Sequence, residues 1–291
     1  MKCDSLERII IALGGNSIDT GNTSNSDQLR YIENTFRKLG KIISENEVVL
    51  TYGNGPQVGN IYDRMKEEYS INLCDSMSQG LLSYIIANGY DKIKYEYGLS
   101  RDIIPVFTRT VIDENNYSLK PVGKYYNEKL NENMIKLINK GYRFAVKSPE
   151  PLDILEKSAI SSLLADGYLP LAIGGGGVPV VRDLGYYKSF YGIVDKDLAS
   201  SLLGTLIDAD RLIIITGVNN VYINYGKNNQ ITLKKINYDR LLNYYNEEQF
   251  EEGTMKPKIR AALNFIRKGG KKVNITSIEN IDKLDEGTTI Y

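Results

Sequence analysis

The sequence predicts an α/β fold: a three-layer α/β/α sandwich with a mostly parallel central sheet and a small protruding subdomain. Short, continuous apolar runs rich in β-branched residues recur along the chain, which is typical of strands buried on both faces. Helical patterns separate these runs, and several of the runs end in glycine. Strands that alternate with helices favour a parallel sheet that is covered by helices on both sides.

Six apolar runs are predicted to form this sheet, and they lie at 8–15, 48–53, 103–107, 169–177, 211–217 and 271–277. A helix is predicted over 27–45, because apolar side chains recur there at helical spacing. A second helix is predicted to start at Pro257, since proline suits a first helical turn. Ligands of such folds bind at the carboxyl ends of the strands, where the glycines lie.

Residues 113–147 interrupt this alternation. The segment is polar, rich in tyrosine and weakly periodic, so no element of the sandwich is predicted from it. We interpret it as the small protruding subdomain, or lid.

Composition excludes several classes of protein. The 291 residues carry 36 basic and 36 acidic side chains, so we expect no nucleic-acid or membrane partner. The chain has no histidine, which removes Ser-His-Asp, Cys-His and His-ligated zinc chemistry. Its two cysteines, Cys3 and Cys74, make no disulfide framework, and no signal-peptide pattern or long apolar span is present. These features predict a reduced, cytoplasmic compartment.

Four loops combine glycine with side chains that can bind or react, and they read ALGGNS (12–17), TYGNGPQVGN (51–60), GGGGVPVV (174–181) and VDKDLASSLLGTLI (194–207). Singly, each loop also fits a plain tight turn, and Asp-Lys-Asp also fits a solvated helix start with Asp197 as its N-cap. Together in one α/β chain, the four loops indicate an anionic, phosphorylated ligand.

Two lysines near the predicted helix at Pro257 sharpen this interpretation. Lys256 and Lys258 lie at the opening turn, where the helix dipole disfavours cations. Either Glu251 and Glu252 neutralise them, or Lys258 reaches a phosphate bound at that end of the helix.

The order of the motifs resembles that of carbamate kinases, which have the amino acid kinase fold. The resemblance spans nearly the whole chain and rests on ALGGNS, YGNGPQVGN, MSQG (77–80), KPVG (120–123), SPEP (148–151), GGGGVPVV, VDKDLAS and GTMKPK. Many acid kinases of this fold have a lysine two residues before the paired glycines. This chain has Ala12 there, as carbamate kinases do, and the resemblance implies that Lys120 of the lid replaces that lysine.

The resemblance implies reversible phosphoryl transfer between ADP and carbamoyl phosphate, giving ATP and carbamate with Mg²⁺, as in the last step of arginine breakdown. It also implies a homodimer. Within one kinase domain, residues 1–170 would form the substrate-binding half, including the lid, and residues 171–291 the nucleotide-binding half.

The resemblance also implies roles for individual residues. Carbamoyl phosphate would be bound by amides at Gly14, Gly15, Asn16, Gly53, Asn54 and Gly55. The catalytic residues would be Lys120 and Lys196, which flank the transferred phosphoryl group, and Asp197, which orients lysine ammonium groups. The nucleotide would be bound by Gly175, Gly176, Gly217, Val218, Tyr222, Met255 and Lys258. No metal ligand is assigned, and Gln79 is interpreted as supporting a helix.

Some residues depart from the family pattern. Tyr52 stands where the family usually has histidine, and the segment around Lys120 is shorter than usual. The family tends to have two adjacent basic residues near 143–147, whereas here Arg143 and Lys147 are separated. Two other functions therefore stay open: a related kinase of another small carboxylate or phosphonate, and a catalytically silent metabolite-binding regulator. Lys120 and Tyr222 also have plain interpretations, as a solvated turn lysine and a packing residue.

Overall fold

The computed structural model describes residues 6–14, 18, 25–130, 132, 134–137, 141–251 and 254–291. In chain order, the strands of this part are β1 (Arg8–Leu13), β2 (Glu47–Tyr52), β3 (Ile103–Pro105), β4 (Arg109–Tyr126), β5 (Met134–Leu137), β6 (Gly141–Ile154), β7 (Leu169–Gly174), β8 (Val178–Asp183), β9 (Tyr186–Ser189), β10 (Arg211–Thr216), β11 (Val221–Ile223), β12 (Ile231–Leu233), β13 (Lys235–Ile236), β14 (Lys272–Ser277) and β15 (Thr288–Ile290). The α-helices are α1 (Asn25–Glu45), α2 (Gly55–Met65), α3 (Ile71–Tyr97), α4 (Lys157–Ala165), α5 (Lys196–Leu206), α6 (Tyr238–Asn246) and α7 (Lys256–Arg267).

The main sheet has eight strands in the order β13-β15-β14-β10-β1-β2-β7-β3. β14 and β15 pair antiparallel, and every other pair of neighbours in this sheet is parallel. The predicted fold class is therefore confirmed. All six predicted strands are present, with ends that differ by a few residues.

Helices cover both faces of this sheet. Along β1, Ile9 and Ile11 point to one face and Ile10 and Ala12 to the other, and all four are buried. The first face packs against α1 and α3, where the rings of two buried aromatic residues meet edge to face, and the second packs against α4, α5 and α7. Burial on both sides explains why these strands read as continuous rather than alternating apolar runs.

The strand predicted over 169–177 ends early, at Gly174. Gly175, Gly176 and Gly177 follow with φ angles of 65°, 99° and 82°. This left-handed backbone is available to glycine at little cost and cannot continue a strand. The chain turns here and returns as β8, which belongs to a second sheet.

The second sheet has five strands in the order β5-β6-β4-β8-β9 and contains the predicted lid. Most of the described residues in 113–147 thus belong to regular β-structure, although their periodicity is weak. β4 and β6 pair antiparallel over a long stretch, with three register shifts that break the alternation. Val122, Phe144 and Val146 of this pair pack against Val58 and Ile71, at the start of α2 and α3.

No helix in the described ranges is both long and apolar enough to cross a membrane.

Candidate active site

The first turn of α5 places two aspartates at the carboxyl edge of the main sheet. Asp195 is the N-cap, and its Oδ1 accepts hydrogen bonds from the backbone N–H groups of Asp197 (2.9 Å) and Leu198 (3.2 Å). The interpretation with Asp197 as the N-cap is therefore wrong, because Asp195, two residues earlier, takes that position and the helix begins at Lys196. Asp197 instead lies inside the first turn, and its carboxylate is buried.

Three lysines converge on these two carboxylates. Lys196 Nζ donates to Asp197 Oδ1 at 2.6 Å, and Lys258 Nζ donates to Asp197 Oδ2 at 3.0 Å. Lys120, from β4 in the second sheet, donates to Asp195 Oδ2. We call these five residues the lysine cluster. The structure thus brings together all three predicted catalytic residues, and Lys258 with them.

The charges in the lysine cluster do not cancel, since three ammonium groups face two carboxylates. Burial lowers the pKa of Lys196, and repulsion from Lys258 adds to this effect, although Asp197 opposes it. Burial also acts against Lys258, but Asp197 outweighs it and raises its pKa. For Asp197, the two lysines outweigh burial and hold its pKa well below the usual range. Of the two lysines that Asp197 holds, Lys196 is therefore the one whose charged form would gain more from an added anion.

The second glycine loop lies against Lys196. A β-carbon at Gly53 would lie 3.2 Å from Lys196 Cδ, so glycine lets the lysine stem pass close to the loop. The Gly53 N–H donates to Leu13 O at 3.1 Å and is not available to a ligand. α2 begins at Gly55, and amides in the first turn of a helix have no carbonyl of a preceding turn to bond.

Asn54 joins the second loop to its neighbours. Its side chain is buried, and its Nδ2 donates to Asp75 Oδ1 and to Ser78 Oγ of α3. The same amide lies under Gly175, where a β-carbon would come within 2.2 Å of Nδ2. Both hydrogens of the Asn54 side-chain amide are therefore engaged within the protein.

The other glycines of the candidate site have structural contacts. A β-carbon at Gly14 would lie 2.5 Å from Ile215 O, and one at Gly176 would lie 2.4 Å from Val194 O. Gly175 and Gly176 thus pack beside the second glycine loop and the start of α5, and neither lines the cavity described next. Gly15 and Asn16 lie outside the described residues.

Tyr52 has a structural role. Its ring lies in the core between the main sheet and α1 and α3, and its hydroxyl donates to Gln79 O at 3.1 Å. Gln79 in turn bonds the backbone of Thr108 through both of its side-chain groups, as expected for a supporting residue. Tyr52 is 2 % exposed, so its ring is not a surface that a substrate touches.

A cavity of about 250 Å³ lies at the end of β10, between the segment that leads into β11 and the residues just before α7. Gly217, Val218, Tyr222 and Met255 line it, so four of the seven predicted nucleotide residues meet there. The resemblance also implies that residues 216–226 surround the adenine, and Thr216 and Tyr225 of that segment line the cavity too. Sequence reasoning missed the remaining lining residues, Gln249, Phe250, Glu251 and Thr254. We call this space the base cavity, because it is mostly apolar and has the flat ring of Tyr222 in its wall.

Helix α7 connects the base cavity to the lysine cluster. Met255 is its N-cap and lines the base cavity, and Lys258 in its first turn reaches Asp197. Lys256 pairs with Glu248. Asp197 therefore neutralises Lys258. Glu251 does not pair with Lys258, and its carboxylate accepts a hydrogen bond from the Thr254 hydroxyl at 2.9 Å. Glu252 lies outside the described residues.

An open cleft of about 480 Å³ adjoins the cluster on the side of the second sheet. Lys120 and Ser148 of the β4–β6 pair form one wall, and Leu198, Lys256 and Arg260 form the other. Across this cleft, Arg260 pairs with Glu150 of β6. The β4–β6 pair, which contains most of the lid, therefore contacts the helices at the lysine cluster and at this ion pair.

Comparison with known proteins identifies the family. The model of the amino acid kinase family matches residues 7–277. The chain belongs to the amino acid kinase family. Carbamate kinases of Thermoplasma volcanium and Thermoplasma acidophilum are 42 % and 43 % identical to it, over 94 % of this chain and 94 % and 95 % of theirs. The solved structure of Giardia lamblia carbamate kinase bound to AMP-PNP has a TM-score of 0.88 and 32 % identity, with 98 % of each chain covered.

Two features of this amino acid kinase agree with its resemblance to carbamate kinases. Ala12, at the position where many acid kinases have lysine, is buried in the core under α5. Lys120 of the second sheet reaches the cluster instead. Sequence reasoning missed Asp195, although the two aspartates flanking Lys196 were visible as a signal.

The described residues contain no group of three or more aspartate, glutamate, histidine or cysteine side chains placed to hold a metal ion. Asp195 and Asp197 are both engaged by lysines. Mg²⁺ commonly enters kinase sites with one or two carboxylates and several phosphate oxygens, and a site without a dedicated acidic cage fits that mode.

The Asp197→Asn substitution tests the electrostatics of the cluster. It would leave three lysines facing one carboxylate, and we expect the free energy of unfolding at pH 7 to fall by about 3–5 kcal/mol, the cost of removing one partner of a buried ion pair. Folding lowers the pKa of Asp197. The contribution of its carboxylate to the free energy of unfolding is therefore full above the ordinary aspartate pKa of about 4, and it is lost progressively as the pH falls below that value.

Urea unfolding of both proteins between pH 7 and pH 3 measures this difference. The gap in unfolding free energy should narrow as the pH falls below about 4. Asp282→Asn, at an exposed aspartate, is the control and should change stability by less than about 0.5 kcal/mol. A gap that stays constant over the whole pH range would contradict the assignment.

Proposed function

We propose that this protein catalyses the reversible transfer of a phosphoryl group between carbamoyl phosphate and ADP, giving carbamate and ATP. The observation that carries the proposal is the lysine cluster, with its excess of positive charge, next to a base cavity in a chain of this family. The most similar relatives named above are carbamate kinases over nearly their full length.

The cluster supplies what phosphoryl transfer needs. In the transition state, negative charge spreads over the moving phosphoryl oxygens, so catalysis depends on positioning and on cations rather than on covalent chemistry. Lys196 lies between the second glycine loop and Asp197, and Lys120 approaches from the lid. Carbamate is already an anion, so its attack needs no general base, and a chain without histidine lacks nothing that this reaction requires.

We assign the nucleotide to the half of the chain formed by residues 171–291. The adenine would occupy the base cavity beside Tyr222, and the phosphates would extend along the start of α7 towards Lys258. AMP-PNP bound to the Giardia lamblia relative supports a nucleotide ligand. Carbamoyl phosphate would occupy the half formed by residues 1–170, at Gly14, Gly15, Asn16 and the 53–55 loop.

Mg²⁺ would enter with the nucleotide, held mainly by its phosphate oxygens, and would neutralise part of their charge. The protein contributes the lysines that hold the phosphates, and Asp197, which fixes two of those lysines. We place the reaction in the cytoplasm, where ADP is abundant. No described feature calls for a nucleic-acid or membrane partner.

The structure weakens the two competing functions. A different acceptor rests on Tyr52 and on the altered 113–147 segment, but the Tyr52 ring is a core residue and the altered segment still brings Lys120 to Asp195. A silent regulator would have no need of Lys120, Lys196, Asp197 and Lys258 in one ion-paired cluster, and all four are present.

Lys196→Ala tests the proposed function directly. The substitution removes a lysine whose charged form is disfavoured by burial until an anion binds. We expect turnover to fall by about two to three orders of magnitude, as for loss of a donor that stabilises transition-state charge. The measurement is ATP formation from ADP with carbamoyl phosphate, run in parallel with acetyl phosphate. Lys188→Ala, at an exposed lysine of β9 paired with Asp183, is the control and should retain the parent's rate. A parent active on acetyl phosphate alone would overturn the substrate assignment.

Lys120→Ala tests the contribution of the lid. Lys120 completes the cluster from a separate sheet, so its loss should lower turnover at least tenfold while the affinity for ADP, measured by calorimetry, changes little. Lys136→Ala, at an exposed lysine of β5, is the matched substitution in the same sheet and should behave as the parent. Turnover within a factor of about three of the parent would show that Lys120 is a plain surface lysine.

We also propose that the protein is a homodimer, as the resemblance to carbamate kinases implies. Helix α3 exposes an apolar stripe formed by Leu73, Met77, Leu81 and Tyr84, at helical spacing along its outer face. A stripe on a straight helix can pair with the same stripe of a second copy about a two-fold axis. The net charge of zero brings no long-range repulsion against that pairing.

Leu81→Glu tests the dimer. A carboxylate in the middle of the stripe would have to be buried unpaired, so the variant should sediment at the 32.8 kDa mass of a single chain, whereas the parent should sediment at twice that value. Leu184→Glu changes an equally apolar side chain that is 96 % exposed in the β8–β9 turn, and it should leave the mass unchanged. A monomeric parent would exclude this interface.

A further inference from the structure

One buried carboxyl group lies just behind the proposed substrate loop. Asp75, on the second turn of α3, has no exposed surface. Its Oδ1 accepts from the Asn54 amide, while its Oδ2 has no hydrogen-bond partner. A buried carboxyl oxygen without a partner is costly and is rare in folded proteins.

Among the described residues, the Asn54 amide is the one group around Asp75 that stabilises a negative charge. The titratable groups that face it are the Tyr52 hydroxyl, at the end of β2, and the Cys74 thiol on its own helix. No lysine or arginine of the described ranges acts on it. Burial raises the pKa of Asp75 to about 8, although the hydrogen bond from Asn54 opposes this shift. At neutral pH the group is therefore a neutral acid.

A chain of contacts leads from Asp75 to the candidate site. Asp75 and Ser78 together fix the Asn54 side chain, since both accept from its Nδ2. The fixed amide lies under Gly175, where no β-carbon would fit. The orientation of this one amide thus determines how the second and third glycine loops pack against each other, next to Lys196.

We propose that Asp75 is a positioning residue for phosphoryl transfer, which in its neutral form holds Asn54 and thereby the substrate loop in the geometry that binds the anion. The inference rests on the proposed function. When Asp75 ionises, a negative charge appears behind a loop that receives a negative substrate, and binding of that substrate weakens. Asp75 is not a catalytic residue, because it touches no reacting atom.

Kinetic measurements on Asp75→Asn and Asp75→Ala test this role between pH 6.5 and pH 9.5. Asparagine keeps the acceptor for Asn54 and cannot ionise, whereas alanine removes the acceptor. For the parent, the KM for carbamoyl phosphate should rise at least threefold, relative to Asp75→Asn, as the pH passes through about 8. Asp75→Ala should lose about 10–100-fold in kcat/KM, the usual range for a supporting residue, and Asp75→Asn should rescue most of that loss. Asp282→Asn is the control for the substitution itself.

Two measurements without turnover separate this inference from the proposed function. Folding raises the pKa of Asp75, so its stabilising contribution is lost as the pH rises from about 4 to about 8. The melting temperature of Asp75→Asn should therefore rise relative to the parent over that range, whether or not the enzyme is active. The increase in melting temperature caused by inorganic phosphate should shrink above pH 8 in the parent but not in Asp75→Asn.

An inactive parent would overturn the proposed function, and the phosphate measurement would then decide the inference by itself. Parent and Asp75→Asn proteins with parallel pH profiles in KM, melting temperature and phosphate response would overturn the positioning role. So would an Asp75→Ala variant that folds and keeps the parent's kcat/KM. If Asp75→Ala does not fold, the comparison of the parent with Asp75→Asn still decides the question.

Discussion

The architecture of the site follows from one constraint, the need to hold several lysines close together without an anion present. Lysine ammonium groups that gather around neighbouring carboxylates repel one another, and burial raises the free energy of each charged group. Asp195 and Asp197 meet this cost from the first turn of α5, where the free backbone amides also favour acidic side chains. Each lysine comes from a different part of the chain: Lys120 from the second sheet, Lys196 from α5 and Lys258 from α7. The cluster therefore joins α5, the lid and the start of α7, and its three lysines outnumber its two carboxylates.

Glycine provides the close packing that this arrangement requires. Gly53 lets the Lys196 stem pass, Gly175 accommodates the Asn54 amide, and Gly176 lies against Val194 just before the aspartates. At Gly175 and Gly176 the backbone also adopts positive φ angles. A glycine-rich loop in a kinase suggests direct contact with phosphate. In this protein, several of the glycines bring protein segments together so that other groups can make that contact.

The lid has two kinds of attachment to the rest of the protein. At its base, Val122, Phe144 and Val146 pack on α2 and α3, which gives the β4–β6 pair an apolar anchor. Towards the site, the β4–β6 pair makes two ion pairs, from Lys120 to Asp195 and from Glu150 to Arg260, and Lys147 O accepts a hydrogen bond from the Ile193 N–H at 3.0 Å. Ionic contacts across a cleft exchange readily with water and with a charged ligand. An apolar base with a polar edge is the arrangement expected of a subdomain that closes over an anionic substrate.

The amino-acid sequence alone determined the sandwich, six of the eight strands of its main sheet, and four of the five residues of the lysine cluster. It did so because buried parallel strands and glycine loops leave strong local patterns. It did not reveal α3, since this helix buries Asp75 and Gln79 and exposes Leu81 and Tyr84, the reverse of an ordinary amphipathic helix. Nor did it reveal the strands of the lid, whose register shifts blur the alternation. Tertiary structure alone decided that Tyr52 belongs to the core, that the Asn54 amide faces Asp75 rather than a ligand, and that Asp195 shares the lysines with Asp197. The physical reason is that the direction of a side chain and the partner of a charge depend on residues far away in the chain, and these become neighbours only when the strands assemble.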